Sequence, residues 1–127
     1  MSWRAFHPND PKEAYQGHNW YDNIQRAPLY RSELDIVAVA PGGEFAAFCT
    51  VWFDGVTRTG QFEPVGTEPN HQRRGLARAV MTEGLRRLNR LGAKFAYVGS
   101  WNDATHALYG GLGFKDYIVM EAWEKKT

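Results

Sequence analysis

The residues best suited to chemistry form a short run of polar and small side chains, Gln72-Arg73-Arg74-Gly75-Leu76-Ala77. The run lies between a segment that predicts a strand and a periodic segment that predicts a helix. A helix start presents unpaired backbone N–H groups and the positive end of the helix dipole, which together bind phosphate. Small residues at Gly75 and Ala77 allow close approach to the backbone, and the two arginines add positive charge. The run therefore predicts a polyphosphate-binding loop.

Apolar spacing defines the elements on either side of this loop. Thr59 to Thr67 predicts a strand, and from Leu76 to Leu91 apolar residues recur every three or four positions, as in an amphipathic helix. Gly92 ends that helix, and Lys94 to Gly99 predicts a short, largely buried strand. A strand-helix-strand unit favours parallel or neighbouring strands in one sheet.

Two further strands and a second helix complete the central pattern. Asp35 to Ala40 and Phe45 to Phe53 predict strands joined by a Pro-Gly-Gly turn, and the strand before the loop extends them into a meander. Asn102 and Asp103 are good caps for a helix from Ala104 to Leu112.

The two ends of the chain are less regular. Before residue 35 we expect a short strand at Trp3 to Phe6 and a helix that starts at Asn9 or Asp10, ahead of Pro11. Phe114 to Glu124 predicts a closing strand. The order of elements predicts an α/β (α+β) fold, in which helices cover a central sheet.

Composition limits the class of protein. With 127 residues and 43% hydrophobic content, the chain fits one domain spanning residues 1–127. A formal charge of +1 argues against general attraction to nucleic acid or to a membrane. No apolar run approaches the roughly 18 residues of a membrane span, and the polar N-terminus is unlike a signal peptide. We therefore expect a cytoplasmic protein without a nucleic-acid or membrane partner.

The positions of cysteine, histidine and arginine bear on whether the chain has a metal site or a nucleic-acid-binding surface. The single cysteine, Cys49, lies in an apolar strand and is expected in the core, and the four histidines show no metal-ligand spacing. We therefore predict no metal site. Between Gln72 and Leu91 six arginines accompany one acid, Glu83, which leaves nucleic-acid binding as an alternative. Those arginines lie opposite the apolar stripe, however, as on any soluble amphipathic helix.

Two motifs occur in a fixed order along the chain. The first, Gln/Arg-x-x-Gly-x-Gly/Ala, is met by Gln72, Gly75 and Ala77. The second, Asn-x-x-Ala-x-x-x-Tyr-x-x-x-Gly-Phe, is approximated from Asn102 through Tyr109 to Phe114. With these motifs, the chain from about residue 35 onward resembles the GNAT superfamily of acyl-CoA-dependent N-acetyltransferases. The resemblance implies a mixed, mostly antiparallel sheet flanked by helices, and direct acetyl transfer from acetyl-CoA to a primary amine.

The resemblance also implies where the cosubstrate binds. The end of the strand before the loop pairs through its backbone with the pantetheine arm, and the diphosphate rests on the loop N–H groups with arginine side chains nearby. The implied cofactor-binding residues are Val65, Gly66, Thr67, Gln72, Arg73, Arg74, Gly75, Leu76, Ala77 and Asn102.

Tyr109 is the general acid that the resemblance implies. A phenol with an ordinary pKa near 10 stays protonated at neutral pH and can donate to a departing thiolate. Without the surrounding motif, a tyrosine on a short helix is usually a packing residue. The helix also carries Gly110-Gly111, which costs about 1 kcal/mol per glycine relative to alanine.

Glu63 is the leading candidate for the base. It alternates with Gln61, Val65 and Thr67 along the predicted strand, so these four side chains are expected on one face. If that face lines the cleft, the carboxylate can take a proton from the amine; otherwise Glu63 is a surface acid. His71 and His106 are the other titratable candidates near the loop.

Sequence alone leaves three points open. A non-catalytic acyl-CoA-binding domain of the same fold has the same loop, so Tyr109 and Glu63 distinguish the two functions. The acceptor is a small-molecule amine or a peptide amine, with acetyl as the default acyl group. An exposed sheet edge leaves room for a homodimer.

Overall fold

The computed structural model describes residues 19–100, 102–115, 123 and 125. Among these residues, the chain forms three α-helices and four strands, with 3-10 turns at Ser32–Leu34 and Pro69–His71. The helices are α1 (Asn19–Gln25), α2 (Leu76–Arg90) and α3 (Asp103–Gly111). The strands are β1 (Asp35–Val39), β2 (Phe45–Asp54), β3 (Thr59–Thr67) and β4 (Phe95–Val98). No helix in this part of the chain is long and apolar enough to cross a bilayer.

The four strands form one mixed sheet in the order β1-β2-β3-β4. The first three strands are antiparallel, and β4 runs parallel to β3, as the strand-helix-strand pattern predicts. The predicted fold class is therefore confirmed: a mixed, mostly antiparallel sheet with helices against it. The bounds of β1 to β4, α2 and α3 lie within one residue of their predictions, because apolar spacing and turn residues act locally.

Helix α2 packs against one face of the sheet, which we call the α2 face. The packing is close at Gly84, where an added Cβ would lie 2.6 Å from the Phe62 ring and 3.0 Å from Val51. Cys49 is fully buried on this face, and its thiol donates to the Val80 carbonyl oxygen at 3.4 Å. The burial of Cys49 confirms the prediction of a core cysteine, and it raises the pKa of the thiol to about 12.

The opposite face carries a cluster of hydroxyl groups around one carboxylate. Asp35 begins β1 opposite Thr50 of β2, and its carboxylate accepts hydrogen bonds from Thr50 at 3.1 Å, Tyr30 at 2.5 Å and Tyr21. We call the side of the sheet that carries Asp35 and Thr50 the tyrosine face. Burial, together with Asp35, raises the pKa of both phenols, so they remain hydrogen-bond donors. These bonds attach α1 and the chain after it to the sheet.

Helix α1 is the main departure from the expected elements. The chain before residue 35 was predicted to be largely irregular, and no helix was assigned to Asn19–Gln25, yet this segment is helical. A helix of seven residues is too short to show two turns of apolar spacing, and such helices depend on tertiary contacts. The predicted strand at Trp3 to Phe6, the helix start at Asn9 or Asp10, and most of the predicted strand from Phe114 to Glu124 lie outside the described residues.

Candidate functional site

Strands β3 and β4 separate after four paired positions. Their pairing runs from Thr59 opposite Phe95 to Phe62 opposite Val98, whereas β3 continues to Thr67 with β2 on its other side. Residues 63–67, which we call the β3 edge, therefore have no strand partner on the β4 side in the described part of the chain. At the rise of an extended strand this edge is at most about 13 Å long. Its unpaired backbone groups can bind an extended ligand.

A bulge in β3 decides which side chains face which way. Cys49 lies opposite Val65 and Val51 opposite Phe62, so two steps along β2 match three along β3. Val65 is therefore on the α2 face with Phe62, whereas Glu63 stays with Gln61 on the tyrosine face. The predicted shared face of Glu63, Val65 and Thr67 is wrong, because it assumed unbroken alternation.

Glu63 lies at the surface of the tyrosine face beside Trp52. The Trp52 indole N–H donates to the Glu63 carbonyl oxygen at 2.7 Å, and the Tyr30 ring packs edge-on against Trp52 with 6.2 Å between centroids. Gln61 donates to the Glu63 carboxylate at 3.4 Å. Trp52 thus fixes the backbone of the bulge, and the exposed carboxylate has the chemistry of a proton acceptor.

The loop before α2 has the backbone of a tight, open turn. Gly75 is the N-cap with a φ of 73°, and Arg73 also lies in the left-handed region with a φ of 64°. Because no side chain caps the helix, the N–H groups of its first turn at Leu76 and Ala77 are available to a ligand. No atom of the described residues lies within 4 Å of the position that a Cβ of Gly75 would take. The predicted phosphate-binding run therefore sits at an accessible helix start.

Two pairs of arginines, one within α2 and one in the loop before it, have different surroundings. Arg86 and Arg87 bind Glu83 at 2.6 and 2.9 Å, and hydrogen bonds from these two arginines lower the pKa of Glu83 to about 2. Arg87 also donates to the Glu33 carbonyl oxygen at 2.6 Å. These arginines therefore serve α2 and its attachment to the rest of the fold, which weakens the nucleic-acid alternative. Arg73 and Arg74 lie at the loop.

Tyr109 lies in α3, close to the end of the β3 and β4 pairing. Its side chain is buried among core residues on the α2 face, and its ring contacts Phe114, which in turn contacts Phe62, with 6.3 and 6.2 Å between centroids. Phe62 is the last β3 residue paired with β4. Burial raises the pKa of Tyr109, so its hydroxyl keeps its proton through neutral pH.

Asn102 has a structural role at the start of α3. Its side-chain oxygen accepts from the Thr105 N–H at 2.9 Å, and the Thr105 hydroxyl completes a capping box. This bond confirms Asn102 as a helix cap, whereas its contact with a cofactor stays a prediction. His106 is exposed on the same helix.

Most of the predicted residues lie along or next to the gap that opens where β3 and β4 separate. Val65, Gly66 and Thr67 lie on the β3 edge, the run from Gln72 to Ala77 follows at the α2 start, and Tyr109 and Glu63 lie on opposite faces near the end of the β4 pairing. No group of three or more potential metal-ligating side chains occurs in the described residues.

Sequence reasoning missed two features of the tyrosine face. One is the support that Trp52 and Tyr30 give to the bulge, and the other is the carboxylate of Asp35. An acid opening an apolar strand was the available signal for Asp35. Pro64 was the signal for the bulge, because proline inside a strand is largely confined to edges and bulges.

Comparison with known proteins agrees with this geometry. The profile of the Acetyltransferase (GNAT) family matches residues 1–114. The chain belongs to the GNAT acetyltransferase family. A search of curated proteins gives no significant match to this GNAT protein.

Three solved structures illustrate the shared fold. A protein of Agrobacterium tumefaciens named as an acetyltransferase is 18% identical, with a TM-score of 0.74 over 97% of this chain and 88% of its own. AAC(6')-Iy, solved with a CoA-containing bisubstrate analogue, is 17% identical, with a TM-score of 0.69 over 98% of this chain and 87% of its own. The ribosomal-protein-S18-alanine N-acetyltransferase of Escherichia coli is 22% identical, with a TM-score of 0.67 over 83% of this chain and 65% of its own. At these identities the likeness concerns the fold alone.

Proposed function

We propose that this GNAT protein transfers an acetyl group from acetyl-CoA directly to a primary amine. The observation that carries the proposal is the continuity between the unpaired β3 edge and the uncapped start of α2. The β3 edge supplies backbone groups to the extended pantetheine arm, and the start of α2 supplies N–H donors and positive charge to the diphosphate. Family membership supports the same cosubstrate.

The two binding features give the cosubstrate a direction. With the diphosphate at Arg73 to Ala77, the pantetheine arm runs back along Thr67, Gly66 and Val65. Its thioester then lies near Glu63 and Phe62, where β4 closes the gap. This direction places the reactive carbonyl between the two candidate catalytic side chains.

The candidate acid and base lie on opposite sides of that carbonyl. The amine approaches from the tyrosine face, where Glu63 takes its proton, directly or through a water molecule. The nitrogen bonds to the carbonyl carbon, the carbon–sulfur bond breaks, and the CoA thiolate takes the proton of Tyr109 on the α2 face. Backbone N–H groups near the bulge polarise the carbonyl, and holding both reactants in one gap supplies much of the rate.

The acceptor class follows from the chemistry at the end of the gap. A carboxylate base beside an exposed strand fits a small-molecule amine or a peptide amine. Solved structures of the same fold are named for both kinds of acceptor: AAC(6')-Iy was solved with an acetylneamine conjugate of CoA, and the Escherichia coli protein is named for an alanine of a ribosomal protein.

The proposal is tested by measuring acetyl-CoA consumption as released thiol across alkylamines, polyamines, aminoglycosides and peptides with free N-termini. We expect thiol release in step with an acetylated amine identified by mass spectrometry. CoA binding without release on any amine would support the non-catalytic acyl-CoA-binding domain instead. Absence of CoA binding to the wild-type protein would overturn both functions.

A further inference from the structure

His71 connects the turn before α2 with two other segments of the protein. It ends the Pro69–His71 turn, and its side chain is 14% exposed. Its Nδ1 lies 3.3 Å from Nη1 of Arg74, and its Nε2 lies 3.7 Å from a carboxylate oxygen of Glu44 in the turn between β1 and β2. One imidazole therefore lies between an acid from the hairpin and an arginine of the loop.

The chemistry of the two partners decides which tautomer of the neutral imidazole fits this position. A guanidinium has only donors, so Nδ1 must accept from Arg74. In the neutral ring the proton is then on Nε2, the nitrogen that faces Glu44. Glu44 thus favours the tautomer that can hold Arg74.

The contact leaves the better phosphate-binding side of Arg74 available. Among the described residues, the only hydrogen bond of the guanidinium is from Nη1 to His71, which leaves Nε and Nη2 to form two parallel hydrogen bonds with one phosphate. An arginine held in this way loses less side-chain entropy on binding than a freely rotating one.

We propose that His71 is a positioning residue that holds Arg74 ready for the diphosphate of the acyl-CoA. The inference rests on the proposed function, since it requires that the loop bind CoA. Glu44 is the outer member of this Glu44–His71–Arg74 chain, which links cosubstrate affinity to the tip of the β1–β2 hairpin. Holding the long side chain of Arg74 in place before binding should lower the Kd of CoA by about three- to tenfold.

The test is a calorimetric measurement of the Kd of CoA for five proteins: wild type, His71→Ala, His71→Asn, Arg74→Ala and the double variant His71→Ala with Arg74→Ala. We expect CoA binding to weaken about tenfold in Arg74→Ala and three- to tenfold in His71→Ala. The double variant should bind no more weakly than Arg74→Ala. His71→Asn should stay near wild type, because its side-chain oxygen can replace Nδ1 as the acceptor.

A second measurement separates positioning from damage to the fold. The ratio of kcat/KM with acetyl-CoA to kcat/KM with acetyl-pantetheine, which lacks the diphosphate, should fall in His71→Ala and recover in His71→Asn. Three results would overturn the inference. The first is a loss of CoA affinity in the double variant equal to the sum of the two single losses, and the second is unchanged or tighter CoA binding in His71→Ala. The third is an equal loss of kcat/KM with acetyl-CoA and with acetyl-pantetheine. In each of these cases CoA binding by the wild type leaves the proposed function standing, whereas its absence overturns that function as well.

Discussion

The two ends of the gap between β3 and β4 are built in different ways. The end proposed to bind the diphosphate, which we call the diphosphate end, is one continuous run, Gln72 to Ala77, with an uncapped helix start and two residues in the left-handed region. The acyl end combines Glu63 from β3, Trp52 from β2 and Tyr109 from α3, which are far apart in the sequence. The proposed function therefore assigns binding and chemistry to different places in the molecule. Substitutions at the first end should change affinity, and those at the second should change turnover.

The largest effect is expected for Tyr109→Phe at the acyl end. Removing the hydroxyl takes away the proton donor to the thiolate, and kcat should fall about 10²- to 10⁴-fold. The Kd of CoA should change less than about twofold, because the ring still packs against Phe114. Parallel losses in kcat and CoA affinity would contradict the separation of the two ends.

The pH dependence of kcat provides a further check on Tyr109. Burial raises the pKa of this phenol above its ordinary value near 10, so the acid form persists through neutral pH and is lost only as pH rises through the higher pKa. On the alkaline side, kcat of the wild type should therefore fall only above about pH 10. In Tyr109→Phe this high-pH loss should be absent. An alkaline loss unchanged by the substitution would assign the acid to another group.

The next effect in size is expected for Glu63→Gln. The amide keeps the shape of the side chain but cannot take the amine proton, so kcat should fall by about 100-fold. The Kd of CoA should stay close to wild type. Gln61→Ala, which removes the contact with the Glu63 carboxylate, is a matched control and should cost much less. A kcat for Glu63→Gln within twofold of wild type would identify Glu63 as a surface acid.

At the diphosphate end, Gly75→Ala should raise the Kd of CoA by about tenfold while kcat at saturation falls less than threefold. The new methyl group enters the space through which the diphosphate approaches, and left-handed backbone costs a non-glycine residue about 1–2 kcal/mol. Gly92→Ala is the matched control: it follows the far end of α2, its φ is 85°, and the nearest atom to its added Cβ belongs to the flexible Arg58 guanidinium, at 3.0 Å. The control should lose similar stability without a change in Kd. If the control raised the Kd of CoA as much as Gly75→Ala does, backbone strain and not a clash with the ligand would explain the weaker binding.

The smallest effects concern the packing that holds α2 and α3 in place. Gly84→Ala should lower the free energy of unfolding by about 1–2 kcal/mol, because its methyl group would lie against Phe62 and Val51. At Gly110 no atom of the described residues lies within 4 Å of an added Cβ, so Gly110→Ala should raise the free energy of unfolding by about 0.5–1 kcal/mol. Urea denaturation measures both. A stabilising Gly84→Ala would contradict the close approach of α2 to the sheet.

The same division explains how much the sequence could predict. The loop, β3 and α2 can be predicted from residue spacing within one stretch of chain. The predicted bounds of both elements lie within one residue of those in the structure. The orientation of Val65 and Thr67 was wrong because a bulge shifts the alternation by one residue, and Pro64 was its only local sign.

The contacts on the tyrosine face could not be predicted from the sequence for a different reason. Tyr30, Asp35 and Trp52 meet through pairing of β1 with β2 and through the return of the chain after α1. None of these contacts follows a sequence period, and α1 itself is too short to show one. Residues assembled by long-range contacts become readable only once the sheet register is known.

The most direct test of the central claim is a titration of the nitrogen-15-labelled protein with CoA, followed by backbone amide resonances. The largest shifts are expected at Leu76 and Ala77, with a second group at Val65 to Thr67, and Gly75→Ala should weaken the whole response. Shifts centred on the tyrosine face or on the arginines at the end of α2, with the loop amides unmoved, would contradict CoA binding at this gap.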